Sequence, residues 1–192
     1  MVWLDQSIKS GRIVVGTALF HGHVDAYAFE KTRSGSFQAL FEVADVVLDY
    51  QEGWPQVEQL AARVKFHGNQ MDIHADAGRI YDSRLSSVSA RIASLKPMDP
   101  LRVEGRIVGS LDSNLRVLRE GALRERFGHF TEGLVAKGQT TLDIGFEIPL
   151  GDRGSETLDG RLTFGGNTLA LPAWDFELDK LSGRLDFTLD GF

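Results

Sequence analysis

Apolar and polar residues alternate along most of this chain, which is typical of β-strands. In the segment TLDIGFEIPL the apolar row is Leu142, Ile144, Phe146, Ile148 and Leu150. GRLDFTLDG repeats the pattern with Leu185, Phe187 and Leu189. A period of two places one row on each face of a strand, with one face buried and the other wet. Antiparallel sheets accommodate that division and parallel sheets rarely do, so the pattern predicts antiparallel pairing.

Shorter runs of the same kind predict a meander of many strands. The further candidates are Ile13–Phe20, Phe37–Asp49, Ala62–His67, Met71–Ala75, Leu85–Ile92, Leu101–Val108, Leu162–Phe164, Thr168–Leu171 and Trp174–Leu178. Gly68-Asn69 and Gly165-Gly166-Asn167 separate some of them and predict tight turns, since glycine and asparagine tolerate positive φ. The predicted fold class is mainly β, a curved antiparallel meander sheet.

A short kernel, glycine-arginine followed by isoleucine or leucine, recurs along the chain. It begins at Gly11, Gly78, Gly105, Gly160 and Gly183. Such repetition indicates a repeated structural unit. We interpret the glycine as the end of a turn, the arginine as solvent-facing and the aliphatic residue as the start of the inward row.

One amphipathic helical insertion, at about residues 110–132, interrupts the strands. Its apolar residues recur at steps of three and four, at Leu111, Leu115, Leu118, Ala122 and Leu123. This spacing predicts one helix, or two short helices broken near Gly121. Asp112 or Ser113 is expected to cap its start, and Gly128 or Gly133 to end it. The apolar stripe is expected to lie on the sheet or at one end of it.

The chain is interpreted as a single β-rich segment, residues 1–192, with a possible internal boundary or exposed loop near 151–160. Its last residues, FTLDGF, continue a strand pattern, so we expect a piece of a longer protein. The absence of an apolar run of about 18 residues predicts no membrane-spanning helix.

Composition narrows the function classes. A net charge of −6 and a pI near 5.4 disfavour nucleic-acid binding and docking on an anionic bilayer. The absence of cysteine excludes disulfides, thiolate metal sites and cysteine nucleophiles. No glycine-rich phosphate loop is present, so nucleotide binding is not expected.

His21, His23 and Asp25 form the one candidate metal site. In a strand they would share a face, and two imidazoles with a carboxylate suit zinc or iron. Neighbours at that spacing lie roughly 7 Å apart and converge poorly on one ion. We therefore expect a solvent-facing strand end, no cofactor and no enzyme, and we keep a metal-dependent hydrolase as the third hypothesis.

Several longer segments carry a family resemblance. They are GRIVVGTALFHGHV, GSFQALFEVADVVLDYQEGWP, VKFHGNQMDIHADAGRI, LRVLREGALRERFGHF, KGQTTLDIGFEIPL and LDGRLTFGGNTLALP with LSGRLDFTLDG. The more specific parts are Tyr50 with Trp54-Pro55, and Leu142 with Ile148-Pro149-Leu150. Together they resemble the YhdP-type members of the AsmA-like proteins of Gram-negative envelopes.

The resemblance implies a fold and a function. Such proteins are anchored in the inner membrane by one N-terminal helix and extend through the periplasm. They form a long U-shaped antiparallel sheet, a β-taco, whose apolar concave face is implicated in moving phospholipid between the membranes. This chain would be an internal periplasmic segment that contacts acyl chains and neighbouring segments of its parent. Membrane contact would come from parts of the parent absent here.

We expect nine residues to line a lipid-binding groove: Leu142, Ile144, Phe146, Ile148, Leu162, Phe164, Leu185, Phe187 and Leu189. The rival interpretation is a non-catalytic β-sandwich or partial barrel that serves as a structural spacer or interaction module. Alternation alone does not separate the two, because an inward row has the same pattern against lipid or against a second sheet.

Overall fold

The computed structural model describes residues 6–22, 35–50, 52–120, 124–150 and 154–191. Within them lies one open, curled sheet of ten antiparallel strands, which confirms the predicted meander. The strands are β1 (Ile8–His21), β2 (Ser36–Leu48), β3 (Val57–His67), β4 (Gln70–Ile80), β5 (Ser83–Ile92), β6 (Leu101–Ser110), β7 (Val135–Lys137), β8 (Gln139–Ile148), β9 (Thr157–Leu171) and β10 (Phe176–Thr188). Their spatial order is β1-β2-β3-β4-β5-β6-β8-β9-β10, and β7 pairs with β9.

The curl of the sheet is accompanied by bulges within its strands. The register shifts between β2 and β3, between β3 and β4, and between β5 and β6. A non-glycine residue with positive φ lies at each shift: Asp45, Gln59 and Ser87. An extra residue on one strand bends it and increases its twist. The same faces that alternate in the sequence therefore become a concave and a convex side.

The recurring kernel is explained by the concave side, although our interpretation of its glycine is wrong. Gly105 and Gly160 lie within β6 and β9, where no turn occurs. A Cβ on Gly105 would stand 2.8 Å from Val88, and one on Gly160 would overlap the ring of Phe187. Glycine here lets a neighbouring large side chain lie over the backbone. In these two copies the arginine is exposed and the aliphatic residue, Ile107 or Leu162, is buried, as predicted. In two other copies the aliphatic residue, Ile13 or Leu185, is exposed.

The insertion consists of two short helices, α1 (Leu111–Arg119) and α2 (Arg124–Thr131). Strand β6 runs directly into α1, so the capping residue is Ser110 rather than Asp112 or Ser113. Its Oγ accepts a hydrogen bond from the backbone N–H of Ser113 at 3.1 Å. Gly133, with φ of +71°, follows α2, whereas Gly128 lies inside that helix.

The step Gly165-Gly166-Asn167 is a bulged part of β9, and our prediction of a turn there is wrong. Asn167 is fully buried, and its amide group makes bonds that a turn would not require. Its Nδ2 donates to the carbonyls of Lys137 and Gln139, both at 3.1 Å, and its Oδ1 accepts from Gly165 N at 2.8 Å. It thereby joins β9 to the junction of β7 and β8.

Two smaller differences concern the C-terminal half. The predicted strand Trp174–Leu178 begins only at Phe176, after a 3₁₀ turn at Pro172–Trp174. Strand β7 has three residues and was not predicted. In the polar stretch near 151–160, residues 154–156 are exposed and precede β9. The predicted turn at Gly68-Asn69 is confirmed between β3 and β4.

Asn167→Ala should lower the free energy of unfolding by about 3 kcal/mol, because two carbonyls and one amide lose a buried partner. Denaturant titration of purified variants would measure it. Asn167→Asp keeps the acceptor for Gly165 but removes both donated bonds, so it should be nearly as unstable. Wild-type stability of either variant would contradict the assigned role.

Gly160→Ala should cost about 1–3 kcal/mol, since the new methyl group forces the ring of Phe187 off the strand. Gly165→Ala is the matched control on the same strand, because nothing lies within 4 Å of its Cβ position. The control should change stability by about 0.5 kcal/mol or less. Equal melting temperatures for the two variants would show that Phe187 does not need the space above Gly160.

Candidate functional site

The concave side of the sheet forms an apolar trough, defined here as the cavity of about 560 Å³ lined by β1–β6, β8 and the segments next to them. Six of its side chains stand opposite one another on consecutive strands and form what we call the central row. The central row is Phe41, Val64, Ile73, Ala90, Val103 and Phe146. Directly opposed residues project to the same face, so the row runs across six strands without a polar side chain.

The central row is incompletely buried. All of its members are half-buried, although each projects from the concave face. All of its members except Phe41 pack against a buried cluster at one end of the trough, formed by Met71, Ile92, Leu101 and Ile148. The volume of the trough is within the range of roughly 300–1,000 Å³ found for ligand pockets. An apolar surface of this kind, left partly open, is characteristic of a binding surface.

The convex side carries the opposite chemistry. Arg106, Asp143, Arg161 and Asp186 stand in register across β6, β8, β9 and β10 with alternating charge. Arg106 Nε lies 2.6 Å from Asp143 Oδ1, and Arg161 Nε lies 2.5 Å from Asp186 Oδ1. The hydrogen bond from Arg161 lowers the pKa of Asp186. These four alternating charges lie on the convex side, which faces water, whereas the apolar rows face the trough.

Helix α1 closes part of the concave side. Leu111 is buried against Ala136 and Leu162, while Ser113, Asn114 and Val117 of the same helix face the trough. The buried polar groups satisfy one another: Ser83 and Ser113 hydroxyls lie 3.1 Å apart, and Asn114 Nδ2 donates to Thr140 Oγ1 at 2.7 Å. The trough thus ends at a hydrogen-bonded helix face.

Aromatic side chains from the connection between β2 and β3 reach into the trough. Trp54 packs edge-on against Phe146 of β8, with ring centroids 5.1 Å apart, and Tyr50 lies 6.3 Å from Trp54. Burial, with the nearby Tyr81 and Asp49, raises the pKa of Tyr50. Sequence reasoning did not assign these two aromatics to the site. The available signal was an aromatic pair within an otherwise polar connection, DYQEGWPQ.

Comparison with known protein families matches the YhdP protein family over residues 1–192. The chain belongs to the YhdP family. Membership fits an envelope protein. No curated protein and no solved structure matches the chain.

Within this YhdP-family chain, the nine predicted groove residues fall into three groups. Leu142, Ile144, Phe146 and Ile148 line the trough. Leu162, Phe164 and Phe187 instead pack in the cluster beneath α1. Leu185 is 37% exposed on the edge strand β10, and Leu189 follows the end of that strand. The helix therefore covers Leu162, Phe164 and Phe187 of β9 and β10 and leaves Leu185 exposed.

Of the three candidate metal residues in this family member, the structure describes only His21, which does not line the trough. His21 ends β1, and His23 and Asp25 fall outside the described residues. Among the residues that the structure describes, no group of three or more histidine, cysteine, aspartate or glutamate side chains could hold a metal ion. Within that same part of the chain, no helix is long and apolar enough to cross a membrane.

Proposed function

We propose that this chain is a periplasmic segment of an inner-membrane-anchored envelope protein, and that its trough shields phospholipid acyl chains during transfer between the inner and outer membranes. The observation that carries the proposal is the central row, six half-buried apolar side chains in register that face one cavity. YhdP-family membership supports the envelope location. The role is non-catalytic and needs no cofactor.

Physical chemistry explains how such a trough would act. Moving an acyl chain of ~16 carbons through water costs more than ~10 kcal/mol, at about 0.8 kcal/mol per methylene. A continuous apolar wall removes most of that barrier, because the methylenes exchange water for side chains such as Val64 and Ile73. The charged convex side keeps the opposite face in water, so the phospholipid would travel along one face alone.

Neighbouring segments of the same parent are the proposed protein partners. Strands β1 and β10 are the edges of the sheet, and all residues of β1 are exposed. Ile13 and Leu19 are 67% and 60% exposed. Such edges pair readily with further strands, and pairing would continue the trough beyond this segment. The rival function is a structural spacer, in which the central row would serve only as part of the core. Within the described residues the chain forms one sheet rather than the two of a sandwich.

The direct test is native mass spectrometry of the chain purified from a Gram-negative host, followed by organic extraction of bound molecules. We expect phospholipid to copurify in a defined ratio to protein. Lipid-free protein from several preparations, together with no uptake from phospholipid vesicles, would favour the spacer.

A pair of adjacent substitutions separates lipid binding from folding. Ile73→Glu places a carboxylate in the central row, and His74→Glu places the same group on the exposed face of the same strand. We expect Ile73→Glu to reduce bound phospholipid at least tenfold, since an ionised group in the trough opposes acyl chains. His74→Glu should retain lipid as the wild type does.

Circular dichroism and thermal melts of both variants complete this test. Because the trough is open to water, the carboxylate of Ile73→Glu should remain hydrated and the sheet should stay folded. Complete unfolding of Ile73→Glu would instead indicate a closed core. Retention of the full lipid load by folded Ile73→Glu would contradict the proposed binding surface.

A further inference from the structure

The contact between Trp54 and Phe146 spans the trough from wall to wall. Trp54 belongs to the connection between β2 and β3, whereas Phe146 lies on β8, with β4, β5 and β6 between them in the sheet. Their rings meet edge-on at 80°, a favourable arrangement for two aromatic groups. Phe146 is also the last member of the central row. The indole therefore occupies space directly above the surface proposed to hold acyl chains.

The aromatic arm, defined here as residues 52–56, lies outside the strands of the sheet. At the two ends of the connection, Asp49 N donates to Ser7 O at 2.8 Å and Gln56 Nε2 donates to Asp49 Oδ2 at 3.3 Å. Gly53, with φ of +76°, directly precedes Trp54. The indole itself is half-buried, so one side of it already meets the opening of the trough.

We propose that Trp54 is a gate that an entering acyl chain must displace from Phe146. This inference rests on the proposed function and deepens it by naming the residue that selects the occupant. In the structure the indole packs on Phe146. When an acyl chain enters, its methylenes take that place and the indole swings towards solvent about Gly53.

A gate of this kind raises the chain length at which binding becomes measurable. The cost of lifting one indole from one phenyl ring is fixed, whereas the gain grows about fourfold in affinity for each buried methylene. Long acyl chains therefore open the gate, and short chains fail to repay the displacement. Removing the indole should strengthen binding of any chain that passes this point by about three- to tenfold, because the displacement step is lost.

The tryptophan fluorescence of the chain provides the test. Of its three tryptophans, Trp54 is isolated by Trp3→Phe with Trp174→Phe, and Trp174 by Trp3→Phe with Trp54→Phe. Each delipidated variant is titrated with phosphatidylglycerol–phosphatidylethanolamine vesicles whose acyl chains are brominated at mid-chain. As lipid binds, we expect the emission of Trp54 to shift to longer wavelength and to become more accessible to acrylamide. Trp174, which is 80% exposed, should not change.

Bound lipid is measured on the same samples by extraction and mass spectrometry. This measurement distinguishes failure of the gate proposal from failure of the proposed lipid-binding function. Lipid binding with Trp54 strongly quenched by bromine and not red-shifted would overturn the gate alone, since the indole would then be a fixed wall. Lipid binding with no change in Trp54 emission would do the same. Absence of lipid in every variant, Trp54→Ala included, would overturn the proposed function and the gate with it.

Trp54→Ala supplies an independent measurement. Titration with a series of phosphatidylglycerols of increasing chain length should show tighter binding than the wild type by the same factor for every chain that reaches Phe146, so that shorter chains become measurable ligands. Trp54→Phe should fall between the two. Weaker binding by Trp54→Ala at every chain length would show that the indole holds lipid rather than excluding it, and would overturn the gate.

Discussion

The structure depends on a sheet that curls without closing. Alternation of apolar and polar residues produces a sheet with two different faces but does not by itself curl it. The curl accompanies bulges, such as those at Asp45 and Ser87, and glycines on the concave side. A side chain larger than hydrogen at Gly105 or Gly160 would collide with a neighbour on the inside of the curve. In these two copies of the kernel, the glycine supplies space on the concave side, the arginine supplies charge on the convex side, and the aliphatic residue supplies apolar surface on the concave side.

Whether a part of the concave side forms a trough or an ordinary core depends on which element covers it. Helix α1 packs over β8 and β9 and buries Leu111 and Leu162 as a normal core would. Over β2–β6 the same apolar face meets a cavity, with the aromatic arm of Trp54 across it. One sheet therefore contains a stabilising core and a proposed binding surface side by side.

Strand content and face assignment could be predicted with little error because both are local. Period two in β8 identified Leu142, Ile144 and Phe146 as inward-facing before any pairing was known, and these three residues line the trough. Errors arose where a residue serves a distant partner. Gly165-Gly166-Asn167 has turn composition, yet Asn167 satisfies carbonyls of Lys137 and Gln139, about thirty residues earlier in the chain. The tripeptide itself contains no signal for these long-range hydrogen bonds.

The sequence by itself determined the fold class, the two chemically distinct faces, the helical insertion and the family. The first three follow from short-range periodicity, and the family follows from the residues of the longer segments that resemble it. Tertiary structure alone decided which inward residues remain open and which are covered. Phe146 and Phe164 have the same local pattern, but one lines the trough and the other packs beneath α1. The difference arises from where the helix and the Trp54 arm come to rest, and those placements depend on contacts between residues far apart in the chain.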